Sequence, residues 1–147
     1  MLIPIDGDPE STRGGVTAQV YKAVLNQHLP LVLRFSTIFI HDNAPIYTAH
    51  IIKEWLEEQG IDVMEWLPYS LDLNLIENLW ALLKAEMYRL YPELVGAPNN
   101  AETLDLLIRC AIATWERLEE SMLNRLIDTM KHRVDAVLEA NGWYTKY

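Results

Sequence analysis

The chain has 147 residues, half of them hydrophobic, which suits one domain with a buried core and argues against a disordered protein. Its formal net charge of −9 excludes a strong, autonomous DNA-binding surface, because phosphate contacts need Lys and Arg. No apolar stretch approaches the roughly 20 residues of a membrane helix, and we expect no signal peptide. The single cysteine, Cys110, excludes an internal disulfide and fits a reducing setting.

The N-terminal part of the chain predicts short strands that alternate with helices. Thr17 is predicted to cap a first helix that runs to about residue 28, so that Pro30 lies just beyond its end. Asn43 and Pro45 predict the start of a second helix, and Gly60 predicts its end. Apolar, β-branched and aromatic runs predict strands at residues 2–5, 38–40 and 61–66.

The C-terminal part of the chain predicts helices only. Asn74 is expected to cap a third helix, and further helices follow, the last of which stops near residues 141–142. Cys110 falls in an apolar helical pattern and is predicted to be a buried structural thiol. Lys131 and Arg133 are flanked by aspartates, which is typical of a solvated face of mixed charge. The order of elements predicts an α/β layer with a helical C-terminal part.

Two carboxylates stand at the ends of predicted elements. Asp42 follows the strand at 38–40, and Glu77 lies in the first turn of the third helix. Phosphodiester transfer must stabilise a highly charged transition state, which two divalent cations about 3.5–4 Å apart can do. Mg²⁺ prefers oxygen ligands, typically carboxylates and water. Asp42 and Glu77 are therefore candidate metal ligands, suitable in type.

Structural interpretations of these residues stay open. Asn74 and Glu77 have the spacing of a capping box, and that feature alone favours capping over catalysis for Glu77. Asp42 could belong to the helix cap that precedes Pro45. His41 is predicted to be an ordinary histidine at a strand end, because alternation along a strand would place it opposite Asp42.

Two long motifs then resemble a known family. Residues 41–49 (HDNAPIYTA) and 70–80 (SLDLNLIENLW) are similar to the pattern (Q/H)DNAPxH and SPDLNPIENLW of the mariner-type transposases. The match is to their catalytic domain, the DDE superfamily endonuclease module, and similarity extends over nearly the whole chain. It implies a single partial catalytic domain over residues 1–147, with both motifs in a strand and helix core at 1–92 and C-terminal helices at 93–147.

The resemblance implies a fold, an activity and roles for four residues. The fold would be α/β and ribonuclease-H-like, with an incomplete sheet that lacks the first two strands. Asp42 would be the second catalytic aspartate and Glu77 the catalytic glutamate, both ligands of Mg²⁺ or Mn²⁺, with Asn43 and Asn74 in support. The family cuts DNA at transposon ends and joins the freed 3′-hydroxyl to target DNA, which implies DNA as partner and a nuclear location.

Departures from the family pattern also carry expectations. Tyr47 replaces a histidine, and Leu71 and Leu75 replace prolines. The family's first catalytic aspartate would lie upstream of these residues, and neither Asp6 nor Asp8 is a credible replacement. We also expect these residues to lack the DNA-reading helix-turn-helix region of the family. We therefore expect a polypeptide of this sequence to be inactive alone.

Loss of the central strands would leave an apolar strand edge without a partner. The lone chain is then predicted to be unstable, to pair that edge with a second copy or with full-length transposase, or to close the gap with its first strand. A non-catalytic, transposase-derived interaction or regulatory protein is the alternative function. A nucleic-acid-binding module without chemistry is a third, which the charge disfavours.

Overall fold

The structure is a computed structural model that describes residues 2–12, 14–33, 37–66, 70–143 and 145–147. It divides into two compact units, an N-terminal unit (Ile5–Tyr69) and a C-terminal unit (Ser70–Tyr147 with Met1–Pro4). In the described ranges the chain forms six α-helices: α1 (Ala18–Val32), α2 (His50–Glu58), α3 (Leu75–Leu90), α4 (Ala101–Arg117), α5 (Glu120–Asp128) and α6 (Met130–Glu139). Two 3₁₀ turns are also present: Leu71–Leu73 precedes α3, and Pro92–Leu94 lies between α3 and α4. None of the helices in these ranges is long and apolar enough to cross a membrane.

The predicted strands do not form a sheet in the described residues. Residues 2–5 are irregular, and the segments at 38–40 and 61–66 meet only at one parallel bridge between Phe39 and Val63. Parallel pairing is stable mainly where both faces of a sheet are covered, and here Ile38 and Ile40 stay 53% and 46% exposed. The incomplete sheet therefore stays a prediction.

Helix α1 begins where the sequence predicts and ends later. The Thr17 hydroxyl accepts a hydrogen bond from the Val20 N–H (3.4 Å) and donates one to Asp8 Oδ2 (2.8 Å). Pro30 lies inside the helix, which corrects the predicted end near residue 28. Proline removes one N–H, but Leu29 beside it is buried in the core and holds the last turn in place.

Helix α2 begins later than predicted and ends as predicted. Asn43 does not cap it, because the N–H groups of Tyr47 and Thr48 bond to the Ala44 carbonyl and form a separate turn before His50. Gly60, with φ +64°, follows its end. Side chains of α1 and α2 form the core of the N-terminal unit: Leu25, Leu29, Ile52, Trp55 and Leu56.

The C-terminal unit is helical, as predicted. Helix α3 packs against α4, and a buried cluster contains Met87, Leu94 and Cys110. Burial raises the pKa of the Cys110 thiol, as is typical of a structural cysteine. The predicted last helix is two helices, α5 and α6, which meet at Thr129.

Candidate functional site

Asp42 lies in an exposed turn of the N-terminal unit, between the bridge residue Phe39 and helix α2. Its Oδ1 accepts a hydrogen bond from the Ala44 N–H (2.8 Å), which is the geometry of an Asx turn. Helix α2 begins only at His50, so Asp42 is not part of a helix cap, and that structural interpretation is wrong.

Asn43 connects this turn to the neighbouring segment of the same unit. Its side-chain amide Nδ2 donates a hydrogen bond to the Trp66 carbonyl (2.9 Å), across 23 positions of sequence. Both Asp42 and Asn43 are exposed. The amide therefore ties the turn that carries the carboxylate to the segment at Trp66, and the supporting role of Asn43 stays a prediction.

Four aromatic side chains lie around the Asp42 turn, and we call them the aromatic cluster: Tyr21, Phe39, His41 and Tyr47. The rings of Tyr21 and Tyr47 are 4.5 Å apart between centroids, and His41 stacks on Tyr47 at 5.6 Å with an interplanar angle of 21°. Phe39 also contacts His41, at 5.3 Å between centroids. The sequence indicated only that Tyr47 departs from the family pattern, and Tyr21 lies too far away in the chain to be connected with it.

Burial favours the uncharged forms of the titratable rings in the aromatic cluster. Burial raises the pKa of Tyr21 to about 12, with smaller contributions from Tyr47 and Asp42. Burial, and then the charge of Asp42, raises the pKa of Tyr47. Burial lowers the pKa of His41, against the opposing effect of Asp42. The rings of the cluster therefore provide no positive charge to neutralise this carboxylate.

Glu77 is exposed in the first turn of α3, at the third helical position. Asn74 stands at the N-cap position, but its side chain makes no capping hydrogen bond. The backbone alone joins the two residues, through a bond from the Glu77 N–H to the Asn74 carbonyl at 3.3 Å. The capping box expected as an alternative is not formed, so the Glu77 carboxylate is not used in capping.

The turn before α3 is held by contacts that the sequence did not indicate. Arg133 is 4% exposed and donates from Nη1 to the Asp72 carbonyl (2.8 Å), while Asp72 Oδ2 accepts the Thr145 N–H (2.8 Å). The prediction that Arg133 lies on a solvated face is wrong. Its partner Asp72 is 61 positions away in the sequence, and the charged residues next to Arg133 do not predict such a long-range contact.

The oxygen donors of Asp42 and Glu77 are of the type that Mg²⁺ and Mn²⁺ prefer. Asp42 belongs to the N-terminal unit and Glu77 to the C-terminal unit. Across the ranges that the structure describes, no group of three or more His, Cys, Asp and Glu side chains could hold a metal ion. Each of these two carboxylates is suitable in type as a ligand of a hard cation.

Comparison with known proteins defines the class to which these motifs belong. The sequence profile of the DDE superfamily endonucleases matches residues 9–93, more than half of the chain. This match includes Asp42, Glu77 and the motifs around them. The chain therefore belongs to the DDE superfamily endonuclease family, and the resemblance to mariner-type transposases is confirmed.

Individual relatives narrow the similarity to transposases. The chain is 30% identical over 110 residues to the Tc1 transposase of Caenorhabditis elegans and 33% identical over 110 residues to the Tcb2 transposase of Caenorhabditis briggsae. Each alignment covers 75% of this chain and 37% of the relative. The chain thus spans little more than a third of the length of these relatives.

A solved structure of the Mos1 transposase catalytic domain, with Raltegravir and Mn, shares the fold. Its TM-score is 0.56 with 20% sequence identity, and the match covers 95% of this chain and 68% of that one. A shared fold with a DDE transposase catalytic domain is confirmed at this coarse level, while the α/β, ribonuclease-H-like sheet stays a prediction. The division into a core at 1–92 and helices at 93–147 stays a prediction.

Proposed function

We propose that the chain is a catalytic segment of a metal-dependent DNA transposase in which Asp42 and Glu77 are ligands of Mg²⁺ or Mn²⁺. The observation that carries this proposal is the pair of motifs at 41–49 and 70–80, each with its carboxylate at the family position. Both carboxylates are exposed, and neither caps a helix. Membership of the family and the Mn in the Mos1 catalytic domain structure support the metal class.

The residues of this chain have distinct tasks in the proposed function. Divalent cations would supply charge stabilisation at the reacting phosphate. Asp42 would present its carboxylate from a turn held by the Ala44 N–H and by Asn43. Glu77 would present its carboxylate from the first turn of α3. DNA, as transposon ends and target, is the proposed substrate, and the nucleus the proposed location.

We further propose that the 147-residue polypeptide does not cleave or join DNA alone. The family pattern uses three carboxylates, and the motifs here supply two. The acidic charge is also unfavourable for unaided contact with phosphates. A third carboxylate and most of the DNA-binding surface would then come from residues outside this 147-residue polypeptide.

A non-catalytic interaction protein is the second candidate function. The observation that favours it is the apolar surface beside the Phe39–Val63 bridge, where Ile38, Ile40, Val63 and Met64 are exposed. Such a surface could pair with a second copy or with full-length transposase and modulate it.

Mn²⁺ titration and a DNA nicking assay on the purified 147-residue chain test the proposal. Asp42→Asn and Glu77→Gln are compared with Asp105→Asn, an exposed carboxylate of α4 that serves as the control. We expect Mn²⁺ affinity to fall in the first two variants only, with no nicking by any of them. Equal Mn²⁺ affinity in all variants would contradict the metal site. Nicking that both site variants abolish would contradict only the proposed inactivity.

A further inference from the structure

Arg133 is a buried arginine of the C-terminal unit whose hydrogen bonds all go to neutral acceptors in the described residues. Nε donates to Thr129 Oγ1 (2.9 Å), and Nη1 donates to the Asp72 carbonyl (2.8 Å). The guanidinium carbon lies 4.8 Å from the centre of the Tyr147 ring, a cation–π contact. Burial of a charge is costly unless it is well satisfied, so this arrangement needs a physical reason.

One of these contacts, the bond to the Asp72 carbonyl, reaches the 3₁₀ turn Leu71–Leu73, which precedes α3. Asp72 at its centre is held twice, since Arg133 bonds its backbone carbonyl and the Thr145 N–H bonds its carboxylate. Helix α6 and the C-terminal tail therefore both fix the segment from which α3 starts. Glu77 lies in the first turn of that helix.

Local capping does not fix the start of α3. The Asn74 side chain makes no capping hydrogen bond. Leu75 occupies the first helical position, where the family pattern has a proline, and leucine does not preset the backbone angle as proline does. First turns have unpaired N–H groups and tend to fray. The place of the Glu77 carboxylate thus depends on the turn that Arg133 holds.

We propose that Arg133 is a positioning residue for Glu77, acting through the Asp72 carbonyl and the Leu71–Leu73 turn. It sets the direction in which the first turn of α3 presents the carboxylate, and it does not itself touch metal or DNA. The inference rests on the proposed function, in which Glu77 is a metal ligand. The proposal has two parts. The mechanical part is that Arg133 stabilises the start of α3, and the chemical part is that this stabilisation raises the metal affinity of Glu77.

Hydrogen exchange of the full chain tests the mechanical part. Arg133→Met removes the donors at similar length, Arg133→Lys retains the charge and can keep one bond, and Arg125→Met on exposed α5 is the matched control. We expect exchange in residues 70–80 to accelerate about tenfold in Arg133→Met, since a hydrogen bond from a charged group is lost. The lysine variant should show partial rescue, and residues 101–117 should be unchanged.

Thr129→Val provides a second route, because it leaves Arg133 in place and removes the Nε acceptor, together with the bond from the Thr129 hydroxyl to the Leu126 carbonyl (2.6 Å). It should accelerate exchange in residues 70–80 in the same direction, even where Arg133→Met does not fold. Unchanged exchange of this segment in folded variants would overturn the proposal. Equal acceleration in residues 101–117 would overturn it as well, because that is the result of a general loss of stability.

Mn²⁺ affinity measured on the same variants tests the chemical part. We expect Arg133→Met to weaken binding about tenfold, as for other residues that orient a metal ligand, and Arg125→Met to leave it unchanged. If Glu77→Gln itself does not alter Mn²⁺ affinity, the proposed function is wrong, while the exchange comparison still decides whether Arg133 fixes the start of α3. If Glu77→Gln weakens binding and Arg133→Met does not, the positioning proposal is wrong and the metal site stands.

Discussion

Single residues of the loop before α1 control how that helix begins. The Asp8 N–H bonds the Gly15 carbonyl (3.0 Å), and Asp8 Oδ2 accepts the hydroxyl of the N-cap residue Thr17. The loop closes tightly at Gly7, where a Cβ atom would lie 1.9 Å from the Gly14 carbonyl oxygen. Glycine is required at position 7 because the contact is with backbone, which cannot move aside as a flexible side chain can.

Gly7→Ala is therefore expected to lower the free energy of unfolding by about 1–3 kcal/mol, the usual cost of overpacking. Gly15→Ala is the matched control, since a Cβ there meets nothing within 4 Å. Urea unfolding followed by circular dichroism measures both. Equal urea midpoints of unfolding for the two variants would contradict the close approach of the Gly14 carbonyl to Gly7.

At the scale of elements, signals that act over a few residues predict helix ends well. Thr17 starts α1 and Gly60 follows the end of α2, as expected from capping and from φ +64° at the glycine. Pro30 failed as a stop signal because the core packing of Leu29 outweighs one lost hydrogen bond. The predicted strands are represented in the described residues only by the Phe39–Val63 bridge, since a strand requires a partner that local sequence does not specify.

The continuation of α1 past residue 28 predicts a contrast between two leucines of its last turn. Leu29 is 7% exposed and packs with Leu25, Ile52, Trp55 and Leu56, whereas Leu31 is 75% exposed. We expect Leu29→Ala to cost about 2–3 kcal/mol in the free energy of unfolding and Leu31→Ala less than about 0.5 kcal/mol. Thermal unfolding of both variants provides the measurement. Equal costs for the two variants would contradict the packing of Leu29 in this core.

At the scale of the whole molecule, the sequence identifies candidate carboxylates, whose roles stay predictions, but it does not identify the residues that surround them. Asp42 and Glu77 stand in contiguous motifs, so their family positions could be assigned directly. Tyr21 joins the aromatic cluster from α1, whereas its other members precede α2, and Arg133 reaches Asp72 over 61 positions. Such long-range contacts arise from tertiary packing, and neither the composition nor the hydrophobic periodicity of the sequence predicts them.

The exposed bridge segment leads to the last prediction, which concerns association. Ile38 and Ile40 flank Phe39, and their exposed side chains form an apolar edge of the kind that pairs with another chain. A charged lysine at such an edge opposes pairing. We expect the weight-average mass in sedimentation equilibrium to rise with concentration for the unmodified chain and to rise much less for Ile40→Lys.

Leu104→Lys separates edge pairing from a general effect of added charge. Leu104 is 55% exposed on α4, so this variant adds the same charge at a comparable apolar site away from the bridge segment. It should associate like the unmodified chain. An unmodified chain that stays monomeric at every concentration would contradict the predicted edge. Equal suppression of association by both lysines would also contradict the predicted edge. Each variant shifts the net charge of −9 toward zero by the same step, so an equal effect would come from charge alone. Only a stronger effect of Ile40→Lys identifies the bridge segment as the surface that pairs.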